Sequence, residues 1–221
     1  MISLVKSCID TMPFHQVSVK EFQSDIGLCF EPNKEIGEGY YWYYEKENMF
    51  AVSVMDLVAK EDYIMEYQQP NFISLNFYDT VSAEELNPYK KISANSIRGH
   101  VSNGELYRAR IHKNIPMKGV EIILMPYFYQ DYIEKKYPGV FPDIVSAFKS
   151  IDGCCDFPEL ILLIKQLARF NGSGGSAAIY YESKIAEALS LIVERSKRIN
   201  KQKENIQNLS LQDKKNLEAV K

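Results

Sequence analysis

The densest chemistry in the sequence sits in six consecutive residues: Gly39, Tyr40, Tyr41, Trp42, Tyr43 and Tyr44. Successive side chains of an extended chain point to opposite faces, so Tyr40, Trp42 and Tyr44 share one face and Tyr41 and Tyr43 the other. Large rings on both faces require that at least one set meets a cavity or a core. A ring with a polar tip joins apolar area to a hydrogen-bonding end, which suits recognition of a small molecule. Core packing with exposed tyrosine tips accounts for the same residues equally well. Tyr41, Trp42, Tyr43 and Tyr44 are therefore candidate ligand-binding residues. Arg98 and His100 lie two apart and share a strand face, and they join the set as anchors for an anionic group. The duller alternative for that pair is a surface ion pair.

Other chemistries find less to work with. The three histidines, His15, His100 and His112, form no H-x-H pair and lie on separate segments, so no metal site is expected. Neither H-E-x-x-H nor G-x-S-x-G occurs. The glycines of residues 172–175 lie between two helical patterns rather than after a strand, which makes them a loop and not a phosphate cradle. Cys8, Cys29, Cys154 and Cys155 contain no C-x-x-C pair and read as reduced, space-filling thiols; a redox role for the adjacent pair is the alternative. No catalytic residue and no cofactor emerge, and the expectation is a protein that is not an enzyme.

The elements that must position these residues divide the chain in two. At 221 residues, with 46% hydrophobic and 25% charged residues and a formal net charge of −3, the composition is that of a globular protein able to bury a sizeable core. No run of about 18 apolar residues is present, and residues 1–12 lack a signal-peptide apolar core, so a cytoplasmic protein without a membrane partner is expected. Aromatic residues concentrate before Ile151, whereas residues 176–221 contain neither glycine nor proline. That contrast predicts a strand-rich front and a helical back. Short runs between turn signals place strands near residues 16–22, 28–31, 39–45, 49–58, 72–78, 92–100, 105–112 and 119–125, the spacing of a sandwich or small barrel. Tyr107, Ala109 and Ile111 should face one way and Arg108, Arg110 and His112 the other.

Helices are predicted over residues 126–137, 142–149 and 157–170, the last with Asp156 as N-cap and Pro158 in its first turn. A long helix starts near Ser176 with an apolar stripe of Tyr181, Ile185, Ala188, Leu189, Ile192, Ser196 and Ile199. About 24 such residues span roughly 36 Å, more than one small domain needs. Tyr181, Ile185, Leu189 and Ile192 are accordingly candidates for a homodimer seam, the alternative being that both helices simply cover the strands. Residues 200–208 turn polar and read as a linker, after which Ser210, with Asp213 three residues on, resembles a helix start that is broken off at Lys221. The basic cluster of Arg195, Lys197, Arg198, Lys201 and Lys203 is too small to bind nucleic acid specifically by itself.

This order of parts resembles the AraC/XylS family of bacterial transcriptional regulators. Residues 39–56 are similar to a hairpin of that family's barrel, residues 179–189 to its second dimerisation helix, and residues 209–221 to the first helix of its DNA-binding domain. The resemblance implies an α+β chain: an N-terminal cupin-like antiparallel β-barrel followed by a C-terminal αα-hairpin. It implies an effector-binding barrel with short helices over residues 1–150 and a dimerisation hairpin over 151–200. Residues 201–221 would then be a linker and the start of a truncated DNA-binding domain. The implied partners are an unknown small-molecule effector and a second copy of the chain, with DNA reached only through helix-turn-helix units absent here. A cupin-like small-molecule enzyme and a free-standing binding module are the rival expectations.

Overall fold

The computed structural model describes residues 4–139 and 143–219, with the backbone alone at residues 4, 6, 7 and 204–219. A short helix α1 (Leu4–Ile9) leads into strands β1 (Phe14–Val17), β2 (Leu28–Pro32), β3 (Gly37–Lys46) and β4 (Phe50–Ala59). There follow β5 (Tyr63–Gln68), β6 (Asn71–Thr80), β7 (Ala83–Leu86), β8 (Tyr89–Ile92), β9 (Ile97–Asn103), β10 (Leu106–Ile111) and β11 (Pro116–Leu124). They form two antiparallel sheets, a seven-stranded one ordered β1-β2-β3-β4-β11-β6-β9 and a four-stranded one ordered β5-β10-β7-β8. No strand ladder joins the two sheets among the described residues. The front is thus a pair of facing sheets rather than one continuously hydrogen-bonded barrel, and the space between them is left for side chains.

The seven-stranded sheet is buried on both faces, and residue parity decides which face each side chain joins. Even positions of β3 and β4 (Trp42, Phe50, Val52) and odd positions of β6 and β9 (Ile73, Leu75, Phe77, Ile97) belong to one core, under the helices. Tyr41, Tyr43, Ala51, Met55, Leu57, Phe72 and Tyr78 belong to a second core between the sheets, which Val5 and Ile9 of α1 complete. Because its polar residues are buried too, β6 is inaccessible from Phe72 to Tyr78. Two glycines are fixed by geometry. Gly39 has φ +107°, and a Cβ there would lie 1.9 Å from the Asp56 carbonyl oxygen. A Cβ at Gly99 would lie 2.0 Å from the Phe148 carbonyl oxygen, so the residue between Arg98 and His100 lets a helix seat against β9.

The helices cover the outer face of that sheet. Residues 126–137 open as a π-helical turn (Tyr127–Tyr132) that passes into α2 (Ile133–Lys136). Helix α3 (Ile144–Ser150) is capped by Asp143, whose carboxylate accepts from the Ser146 N–H at 3.0 Å, a contact worth about 1 kcal/mol. Helix α4 (Pro158–Arg169) begins after Phe157 rather than after Asp156, and no side chain caps it; Pro158 supplies the preset φ instead. Helix α5 runs from Gly174 to Ala219 over 46 residues, about 69 Å at 1.5 Å per residue. The stretch 200–208, expected as a linker, is helical, and no break occurs at Ser210. Polarity without glycine or proline removes the apolar stripe but not the capacity for helix. The side chains expected to cap and pattern a new helix from Ser210 to Leu217, like Pro142, Val220 and Lys221, lie outside the described residues.

The four residues chosen for a dimer seam have another partner. Tyr181, Ile185, Leu189 and Ile192 are 0–1% exposed in the single chain and share one core with β3, β4, β6, β9, β11 and α4. Their apolar stripe is satisfied within the monomer, at roughly 2 kcal/mol per side chain, so it is not available to a second copy. The covering of the strands by both helices is what the stripe encodes. The same core contains residues on both sides of the expected boundary at residue 150. No helix among the described residues is long and apolar enough to cross a membrane.

Candidate functional site

A cavity of about 280 Å³ lies between the two sheets, lined by α1, the inner face of the large sheet and the facing side of the small one. Its walls are apolar, with Met12, Phe14, Met55, Leu57, Ile111 and Met117 among them. Its floor is polar: Asn76, Arg98, His100 and Glu121 come from the large sheet and Gln69 from the end of β5, with the tyrosines Tyr41, Tyr67, Tyr78 and Tyr107 around them. An apolar enclosure with a few convergent polar groups is the usual form of a small-molecule site, here at the small end of the size range.

Parity places these polar residues. Asn76, Arg98, His100 and Glu121 occupy the sheet positions that face away from the helices, and each would be an uncompensated polar group on the other face. Arg98 Nη2 ion-pairs with Glu85 of β7 across the gap between the sheets; the two side chains are 12% and 11% exposed. The same Nη2 donates to His100 Nδ1 at 3.2 Å, and since a guanidinium only donates, Nδ1 is the acceptor and the proton sits on Nε2. Nε2–H donates in turn to Gln69 Oε1 at 3.1 Å, and Gln69 Nε2 donates to Tyr67 Oη at 3.2 Å. Cys8 of α1 also lines the cavity, its thiol 4.0 Å from Met65 Sδ of β5. The network therefore connects both sheets through one histidine held in a fixed tautomer.

Electrostatics follow from this arrangement. Burial, reinforced by the Arg98 and Lys90 charges, lowers the His100 pKa to about 4, so the imidazole is neutral at physiological pH. Burial raises the carboxyl pKa of Glu121, opposed by the Arg98 charge and by hydrogen bonds from Ser74 and Asn76. Burial also drives the Cys8 thiol up to about 12, with Glu121 adding to the effect, so this cysteine is an inert thiol. Among the described residues no three His, Cys, Asp or Glu side chains come together as a metal-binding group.

Three of the six candidate ligand residues, Tyr41, Arg98 and His100, line the cavity. Trp42, Tyr43 and Tyr44 do not. Trp42 is 2% exposed on the helix side of β3, where its indole N–H donates to the Ser24 carbonyl at 3.1 Å and its ring lies 5.7 Å from that of Tyr181. Tyr44 points the same way and packs on Phe50 and Tyr181. Tyr43 faces the inter-sheet core but stacks on Phe30, away from the cavity. Alternation was correct for all of them; which face would be hollow and which solid was not contained in it. Arg98 is also not an open anion anchor, because Glu85 already holds it. The strand of residues 106–111 behaves as its pattern predicts: Tyr107, Ala109 and Ile111 line the cavity, while Arg108 and Arg110 pair outward with Glu66 and Glu84.

Sequence reasoning missed Glu121, Gln69, Glu85, Tyr67 and Tyr78. One signal was present for Glu121, a lone carboxylate in the otherwise apolar run Val120, Ile122, Ile123 and Leu124. β5 and β7 escaped notice because they are short and interrupted by Glu66, Gln68, Glu84 and Glu85, whose partners lie on other strands.

No protein-family model matches the sequence, and no curated protein matches it. Solved structures do resemble it at low level. The AraC-like transcriptional activator CuxR matches over 76% of this chain at 9% identity and a TM-score of 0.40; the chain spans 60% of the length of that protein. The Clostridium difficile EutQ protein matches over 53% of this chain and 81% of its own at 9% identity and a TM-score of 0.31. A predicted oxalate decarboxylase from Thermotoga maritima matches over 52% of this chain and 95% of its own at 11% identity and a TM-score of 0.31.

Proposed function

We propose that this chain is the effector-sensing portion of a cytoplasmic, AraC-type DNA-binding regulator, with the inter-sheet cavity as the effector site. The observation that carries the reading is the cavity itself: apolar walls, a hydrogen-bonded polar floor and a volume of about 280 Å³. A solid interior would have left nothing for an effector to occupy. The floor network touches both sheets, so an effector that exchanges hydrogen bonds with His100 or Gln69 alters contacts on β9, β7 and β5 at once. Output passes through the large sheet, whose opposite face packs on α4 and α5. Cupin-like packing of facing sheets and the resemblance of residues 179–189 and 209–221 to a regulator's helices support the assignment of class. In this reading the regulator is a homodimer whose contacts lie outside Tyr181, Ile185, Leu189 and Ile192, and DNA is contacted by helix-turn-helix units beyond this chain.

The test is a thermal-shift screen of the chain against a metabolite library. A ligand at 100 times its Kd adds about 2.7 kcal/mol to the folded state, a shift of several degrees. Failure of every compound to stabilise the chain, with no metabolite co-purifying, would remove the sensor reading. Buried titratable groups in a cavity also favour a second reading, a cupin-like enzyme using Glu121 or His100 for proton transfer. Mass spectrometry of a stabilising ligand after incubation separates the two: a sensor returns it unchanged, an enzyme does not.

A further inference from the structure

We propose that the cavity takes a small organic cation, an ammonium carried on an apolar body, with the Glu121 carboxylate as its counter-ion. The proposal rests on the cavity being a ligand site and assigns the chemical class of that ligand. The charges around the space are unequal. Glu35, Glu61, Asp62 and Glu121 line it, against a single cationic side chain, Arg98, and no lysine, among the described residues. Arg98 is itself committed to Glu85, with both side chains nearly inaccessible. An entering anion would therefore have to compete with a buried carboxylate for a guanidinium that already has its partner, and would meet three further carboxylates on the way. A cation meets the reverse situation.

The disposition of the carboxylates adds to the argument. Glu35, Glu61 and Asp62 are exposed and lie where the cavity opens to solvent, so they attract cations to the entrance. Glu121 lies on β11, flanked by β4 and β6 inside the large sheet. The groups around it include Arg98 from β9, Ser74, Asn76 and Tyr78 from β6, Tyr41 from β3, Tyr67 from β5, Tyr107 from β10 and the Cys8 thiol from α1. Only Arg98 among these is cationic, and its charge is balanced by Glu85. The Glu121 carboxylate thus has polar neighbours in Ser74 and Asn76 but, among the described residues, no ion-pair partner of its own. Its burial without one is the cause of its raised pKa, and an ammonium placed beside it removes that cost. Tyr41, Tyr78 and Tyr107 line the same cavity with rings of a type that attracts ammonium groups, while Met55, Leu57 and Met117 offer contact for an apolar body.

Calorimetric titration of the 221-residue chain at pH 7.5 with two matched sets tests the charge preference: hexylamine, hexanol and hexanoate, and benzylamine, benzyl alcohol and benzoate. At least one amine should bind about tenfold or more tightly than its alcohol and its carboxylate. Glu121→Gln, which keeps the shape and one acceptor oxygen but removes the charge, should abolish that preference, and Glu121→Asp should keep part of it. Equal affinity within both sets, an order led by alcohol or carboxylate, or an amine affinity unchanged in Glu121→Gln would each overturn the proposal while leaving the cavity as a ligand site. The wild-type ranking decides the matter even where a variant fails to fold. Silence from all six probes sinks the cation class, and sinks the ligand site with it only where the metabolite screen is silent too.

Discussion

His100 shows how one residue's surroundings set a measurable property. Its Nδ1 accepts from Arg98 and its neighbourhood is buried and cationic, so it resists protonation in the folded chain down to pH about 4. The unfolded chain takes up that proton near pH 6.5. Between these values the unfolded state binds more protons, so stability is full above pH 6.5 and is lost as the pH falls toward 4, by up to about 3 kcal/mol. His100→Gln should flatten this part of the stability profile in urea titrations at stepped pH; an unchanged slope between pH 6.5 and 4 would contradict the lowered pKa of His100. Trp42 carries the opposite lesson. It has the residue type of a ligand contact, but it is sealed under α5 with its N–H on Ser24. Trp42→Ala should cost about 3–5 kcal/mol by chemical denaturation, the price of a large core cavity.

At the scale of the element, α5 separates two meanings of an apolar stripe. A 3.6-residue pattern specifies a helix with one buried face but not what buries it. Here Tyr181, Ile185, Leu189 and Ile192 face the chain's own sheet and α4, and among the described side chains of α5 the large apolar one most open to solvent is Ile179, 68% exposed. Ile185→Asp should therefore unfold the chain or destabilise it by about 4 kcal/mol, because it buries an unpaired charge. Ile179→Ser should change stability by less than about 0.5 kcal/mol. Melting curves read beside sedimentation velocity check both: an Ile185→Asp protein that keeps its melting temperature and merely halves its mass would restore the seam. Continuity of α5 through residues 200–208 has its own cause, since lysine, glutamine and glutamate are good helix formers and nothing in the stretch breaks a helix.

For the whole molecule, the shared core makes sheets and helices one cooperative unit. Residues of β3, β4, β6, β9 and β11 and of α3, α4 and α5 belong to the same buried cluster. Unfolding followed by far-ultraviolet circular dichroism and by Trp42 fluorescence should give coincident transitions, whereas two separated midpoints would mean that the helical pair melts by itself. The amino-acid sequence determined the local rules: strands at the front, helices at the back, the alternation along β3, β9 and β10, and a shared face for Arg98 and His100. These follow from propensity and period, which act over a few residues. Tertiary structure alone decided which faces were hollow and which were filled. Whether a stripe meets solvent, a sheet or a cavity depends on chain segments far apart in sequence, as when Glu85 of one sheet takes up Arg98 of the other, or when Tyr181 closes over Trp42. Short-range pattern has no access to that pairing, so the site residues contributed by β5 and β7 became visible only once the sheets were brought face to face.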